Sequence, residues 1–139
     1  YAVRCGGGYN HRYNLSGGVM LKDNHIAASE GDISEAVARA REAAPPTLKI
    51  EVETTTIDEV QRAVEAEADI VMLDNMSTAQ MSEAIEFIRD KASKDIIIEA
   101  SGNITESRLP ELRPLDLDIV SVGALTHSVE AADISMRLE

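Results

Sequence analysis

His11 and Arg12 stand side by side, and Lys22 follows ten residues later within LKDNHI. An arginine grips a carboxylate through two parallel N–H bonds, and a lysine offers a point charge. A histidine adds a hydrogen bond, or a positive charge when protonated. The three together suit a small molecule carrying more than one carboxylate. Acids come next: Glu51 and Glu53 lie two apart, and Asp74 directly precedes Asn75. Residues two apart share one face of a strand. A buried, unpaired carboxylate is costly, so at least one of the pair should meet a cation, a metal or a ligand hydroxyl. Glu53 is the better candidate. Glu51 is read as structural, paired with a lysine from a neighbouring strand. A third group is Ser101-Gly102-Asn103, after Glu99 and Ala100, together with Gly123 before Ala124-Leu125-Thr126. Such turns offer backbone N–H groups to phosphate where a strand gives way to a helix. Two acids beside a phosphate grip suggest a phosphorylated sugar, with Mg²⁺ bridging its oxygens.

Other chemistries find no support. Gly6, Gly7 and Gly8 lack the GxGxxG spacing of a dinucleotide fold and the Lys-Ser/Thr ending of a P-loop. His11, His25 and His127 have no HExxH spacing. A Gly-x-Ser-x-Gly elbow is missing as well.

These groups need elements that bring them together. Five short apolar runs, 19–21, 48–52, 70–73, 96–98 and 119–122, end in or near Lys22, Glu53, Asp74, Ser101 and Gly123. Helical patterns lie between them. Asp32 with Glu35 makes a capping box ahead of the stripe Ile33, Ala36, Val37, Ala40, which Pro45 and Pro46 stop. Thr56 with Glu59 opens a second helix, with Ile57, Val60, Ala63 and Val64 facing inward, and Ser77 with Gln80 opens a third, carrying Met81, Ala84, Ile85 and Ile88. Thr105 starts a shorter fourth, kept brief by Pro110 and Pro114. Strand alternating with helix means parallel strands joined by right-handed crossovers. The strand patterns are continuous rather than alternating, as when both faces are covered. Ile134, Met136 and Leu138 alternate and are read as a short extended segment. Five βα units fall short of a closed barrel of about 250 residues. The fold class is therefore α/β, with parallel βα units forming part of an open or incomplete TIM-like barrel. In such barrels the chemistry sits at the C-terminal ends of the strands.

Composition sets the outer limits. The chain has 139 residues with net charge -12, which argues against nucleic-acid binding. No apolar run approaches the roughly 20 residues of a membrane span. Cys5 is the single cysteine, so there is no internal disulfide, and a cytoplasmic location is expected. Trp is absent and Phe87 stands alone, which removes stacking platforms for bases. The opening residue is Tyr1 rather than Met, read as a chain whose first residues were removed or never included.

The segments GGGYNHR (6–12), LKDNHI (21–26), IEVET (50–54), MLDN (72–75), EASGN (99–103) and VGALTHS (122–128), in this order, resemble the C-terminal part of the quinolinate phosphoribosyltransferases, the carboxylating nicotinate-nucleotide pyrophosphorylases. The resemblance implies that quinolinate and phosphoribosyl pyrophosphate give nicotinate mononucleotide, pyrophosphate and CO₂ in NAD biosynthesis, with Mg²⁺. It implies that His11, Arg12 and Lys22 hold the pyridine dicarboxylate. Lys22, Glu53 and Asp74 would serve catalysis, with Glu53 and Asp74 near ribose and metal. Ser101, Gly102, Asn103 and Gly123 would take the 5′-phosphate. It further implies a homodimer or higher homo-oligomer, in which an N-terminal domain helps cover the neighbouring subunit's site. This chain reads as a partial C-terminal barrel domain, residues 1–139, without that domain or the first barrel segment. Alone it is expected to be inactive or very weak. Family members often carry Asp ahead of the lysine motif, where this chain has Ser16-Gly17-Gly18, although glycines also occur there. Two other readings stay open: a related phosphoribosyltransferase that does not decarboxylate, and a non-catalytic barrel remnant that binds phosphate ligands.

Overall fold

A computed structural model describes residues 1–138. Along the chain run α1 (Ala2–Cys5), β1 (Val19–Leu21), α2 (Asp23–Ala27), α3 (Ile33–Ala43), β2 (Ile50–Thr54), α4 (Ile57–Glu65), β3 (Ile70–Asp74), α5 (Thr78–Lys91) and β4 (Ile97–Ser101). A 3₁₀ turn (Glu106–Arg108) then leads into α6 (Leu109–Leu112), β5 (Ile119–Val120) and α7 (Ala124–His127). The five strands are all parallel and lie in the order β1-β2-β3-β4-β5. Among the described residues, the outer edges of β1 and β5 have no strand beside them, so the sheet is open.

The three main helices start where the sequence marks them. Asp32 accepts from Ser34 and Glu35 N–H groups, and Thr56/Glu59 and Ser77/Gln80 form reciprocal capping boxes. Each cap satisfies N–H groups that have no partner inside the helix. Helices α3, α4 and α5 pack one face of the sheet, burying Ile50, Val52, Val71, Leu73, Ile98 and Ala100 against Val37, Val60, Ala63, Met81, Ala84 and Ile88. Each large apolar side chain fully buried there contributes about 1.5–3 kcal/mol.

Several expectations change in detail. Thr105 is followed by a 3₁₀ turn and then a one-turn helix rather than a single helix, because Pro110 has no N–H to extend a regular ladder. Strand β2 begins at Ile50, with Leu48 and Lys49 outside it, and β5 keeps only Ile119 and Val120. Ile134, Met136 and Leu138 pair with no strand and are 85–89% exposed. The expectation of cover on both faces holds for one only. The face opposite the helices carries Met20, Glu51, Glu53, Met72 and Glu99 in lateral register, and it opens onto a broad concavity. No helix is long and apolar enough to cross a membrane among the described residues.

Candidate functional site

Parallel pairing sets the strand ends side by side. Met20 lies beside Glu51, Glu53 beside Met72, Met72 beside Glu99, and Asp74 beside Ser101. Because side chains alternate, these residues and the strand-end groups two positions on face the same way. The concavity they form, of about 660 Å³, is lined by His11, Arg12, Lys22, Glu53, Asp74, Ser101 and Gly123. Gly102 and Asn103 lie just beyond it, in an adjoining pocket shared with Ser101, Gly123 and His127. The residues singled out from the sequence are thus gathered at one rim and its margin.

Lys22 Nζ lies 2.8 Å from Glu53 Oε2. That bond raises the lysine's pKa above its ordinary value; partial burial opposes the rise, and the charges of Glu53, Asp74 and Asp23 add to it. Lys22 follows β1 directly, at a turn closed by its own N–H, which donates to His25 Nδ1 at 3.0 Å. The histidine of LKDNHI therefore shapes the loop that presents the lysine.

Beyond Asp74 the chain turns through Asn75 at φ 55°, and beyond Ser101 through Gly102 at φ 79° and Asn103 at φ 50°. Asn75 donates to Asp74 Oδ2 at 2.7 Å and accepts from Asn103 Nδ2 at 2.8 Å. A Cβ on Gly102 would lie 2.5–2.6 Å from Asn75 atoms, so only glycine fits between the ends of β3 and β4. Across the adjoining pocket, His127 crowds Gly123: a Cβ there would meet the imidazole at 3.0 Å.

In a pocket that adjoins the concavity and shares His11 and Glu99 with it, the structure corrects one expectation. Glu51 has no lysine partner. It is buried, its Oε1 has no hydrogen-bond partner, and it faces Glu99, also buried. Burial, then the charge of Glu99, pushes the Glu51 pKa up to about 7, while His11 and Arg12 pull it down. His11 Nε2–H donates to both oxygens of Glu99, at 3.0 and 3.2 Å. Among the described residues, His11, Glu51 and Glu99 form the one trio of metal-type side chains whose ligand atoms lie within 4.8 Å of one another. Glu53 and Asp74 belong to no such trio. Glu99 was missed because it sits in a run of isoleucines. The signal available was its spacing: Glu99 and Ser101 lie two apart, as Glu51 and Glu53 do.

A match to the family described as "Quinolinate phosphoribosyl transferase, C-terminal domain" covers residues 1–137. A protein of Bacillus subtilis named "Probable nicotinate-nucleotide pyrophosphorylase [carboxylating]" is 45% identical over 136 residues, 98% of this chain and 45% of the relative. The "Nicotinate-nucleotide pyrophosphorylase [carboxylating]" of Homo sapiens is 40% identical over 138 residues, 99% of this chain and 46% of the relative. Among solved structures, NadC from Streptococcus pyogenes superposes with a TM-score of 0.86 at 48% identity, covering 99% of this chain and 46% of its own. Thiamine phosphate pyrophosphorylase from Pyrococcus furiosus, at 20% identity and TM-score 0.59, shares the fold alone. The chain spans about half the length of the curated relatives it matches.

Proposed function

The chain belongs to the quinolinate phosphoribosyltransferase family, matching its C-terminal domain, and from there we propose that it carries the substrate rim of an enzyme joining quinolinate to phosphoribosyl pyrophosphate. The pyridine nitrogen attacks the anomeric carbon, the C–O bond to pyrophosphate breaks, and the 2-carboxylate leaves as CO₂. The bonding pair stays on C2, beside the ring cation, until it takes up a proton and forms the C–H bond. The observation that carries this reading is the gathering of cations, acids and glycine turns around one concavity.

In this reading His11, Arg12 and Lys22 hold the two carboxylates. Glu53 and Asp74 stand where positive charge develops on the ribose, and carboxylates fixed in advance favour that charge. Glu53 also keeps Lys22 charged and in place. Ser101, Gly102, Asn103 and Gly123 take the 5′-phosphate, in a turn too tight for any side chain at Gly102. Mg²⁺ suits Glu53 and Asp74, since it usually binds through one or two carboxylates together with substrate oxygens and water. Glu53 offers Lys22 one oxygen, and Asp74 likewise bonds Asn75 through one, which leaves each a second. When bound there, the ion would neutralise the leaving pyrophosphate. The donor set supports a dicarboxylate over nicotinate, because three cationic or donor groups converge on that side. We also propose that the whole protein works as a homo-oligomer in the cytoplasm, and that this chain alone, with its sheet open and its concavity exposed, binds without turnover.

The test is calorimetric titration of quinolinate into the chain. The expected result is binding that Arg12→Ala weakens about 10–100-fold, the worth of a charged bidentate contact, with nicotinate weaker than quinolinate. Equal affinity in Arg12→Ala, or nicotinate bound as well as quinolinate, would overturn the dicarboxylate assignment. Turnover by the 139-residue chain alone would overturn the last part.

A further inference from the structure

Residues 1–18 cross the open concavity with little to hold them. Their backbone bonds stay within the segment: Gly6, Gly7 and Gly8 bond back to α1, and Gly17 bonds to Asn14. The side chain of Asn14 bonds only to Ser16. Tyr1, Tyr9, Tyr13 and Leu15 are 85–98% exposed, and the half-buried Val3, which lines the concavity, is the stretch's single large apolar side chain out of solvent. Among the described residues, one hydrogen-bonding contact joins residues 1–17 to the sheet: His11 to Glu99. Its two ends differ sharply, the His11 side chain being 34% exposed and that of Glu99 2%.

We propose that Glu99 is a positioning residue, the latch that fixes the glycine-rich segment over the sheet and so aims Arg12 at the ligand.

The chemistry of the contact supports a latch. Both Glu99 oxygens accept from a single N–H, so the imidazole is centred on the carboxylate and its plane is set. A charge-assisted bond in a buried setting is among the stronger single contacts a loop can make. Glu99 cannot move to follow the loop, because it lies in β4 between Met72 of β3 and Ile119 of β5. Arg12, next to the latch, has no ion pair of its own among the described residues, yet its charge reaches Glu51 beside the latch. With His11 held, Arg12 faces the concavity. With His11 released, the glycines let both residues swing away. The aiming of Arg12 rests on the function proposed above; the latch itself does not.

The test is hydrogen exchange on the whole chain, following peptides from residues 6–18 and from β2 and β4. Glu99→Gln should speed exchange in 6–18 about tenfold and leave the strands unchanged. His11→Ala removes the donor from the exposed side, where no core is at risk, and should speed exchange in 6–18 at least as much. The double variant should be no faster than His11→Ala alone, because the contact is already gone. Unchanged exchange in 6–18 for either variant, or additive effects, would overturn the latch. So would strands that loosen in step with the loop, which would make Glu99 merely structural. Chelator should leave the wild-type loop protected; protection lost on chelation would mean that a cation, rather than the direct bond, holds the trio. In calorimetry, Glu99→Gln should weaken quinolinate about tenfold and leave inorganic phosphate unaffected, whereas equal affinity for quinolinate would overturn the aiming of Arg12. A wild-type chain that binds no quinolinate would defeat the function proposed above, while the exchange data would still decide the latch.

Discussion

Strand β3 is bracketed by two aspartates with opposite circumstances. At its N-terminal end Asp69 accepts the Ile50 N–H at 2.9 Å and pairs with Lys94 at 2.6 Å and Arg41 at 3.1 Å. Burial pushes its pKa up, but Lys94, the Ile50 N–H and Arg41 outweigh that and hold it below the ordinary carboxylate value. Asp118, ahead of β5, is a second case: it accepts from Ile98 N–H and pairs with Arg89. At the other end of β3, Asp74 has only the Asn75 amide, and on the open face, beside Ile70, Glu51 keeps an oxygen with no partner. Both ends of the sheet are rich in charge. Next to the helices the lower end uses its charge to close the fold, while the upper rim and the open face leave bonding capacity unmet. Unmet capacity on a fixed scaffold is what a ligand can use, so it marks a site better than charge does.

The largest stability loss is expected for Gly102→Val, which forces a side chain into Asn75 at a φ of 79°. It should cost about 3–4 kcal/mol in chemical denaturation, from strain and overpacking together, and phosphate binding should vanish. Next is Glu51→Gln, with the opposite sign. The folded state keeps a proton on Glu51 up to about pH 7, against an ordinary pKa of 4.5. Stability therefore falls as pH rises from 4.5 to 7, and the loss persists above that range. The variant should gain about 3–3.5 kcal/mol at pH 8 and nothing below pH 4, at about 1.4 kcal/mol per pKa unit. A variant as stable as wild type at both values would mean that Glu51 is not left unmet.

Asp69→Asn should behave in reverse, losing about 1–2 kcal/mol at neutral pH. Because the folded pKa is depressed, that contribution is present above the ordinary value near 3.8 and disappears as pH falls through the folded one. Ligand titrations should be unchanged, since Asp69 lies at the far end of the sheet. Lys22→Ala is the smallest in stability, about 1 kcal/mol, because Lys22 itself is half exposed. Its effect should appear in quinolinate calorimetry instead. A Lys22→Ala chain that melted far below wild type would place the upper rim with the lower one.

Much of the fold was legible because its signals are local. Asp32, Thr56 and Ser77 start helices through bonds to residues two or three positions on, so spacing alone predicts them. The rim was legible for the same reason: strand ends in a parallel βα repeat share one edge, whatever the strands' exact limits. Harder to read were pairings across strands. Glu99 lies 88 positions from His11, and nothing in a run of isoleucines says which residue will meet it. Charge balance alone would put a lysine beside Glu51, and the fold sets a second acid, Glu99, there instead.

The sequence by itself determined the order of strand and helix, the parallel sheet, and the chemical kinds gathered at its upper rim. Caps, apolar periodicity and strand-end residues act over a few positions, where spacing is enough. Only the tertiary structure decided which acids find partners. Asp69 and Asp118 meet cations and backbone N–H groups at the lower end, whereas Glu51 and Glu99 face each other under His11. The physical reason is that partnership depends on lateral register and on which face of the sheet the helices cover. Both are set by packing the whole chain at once.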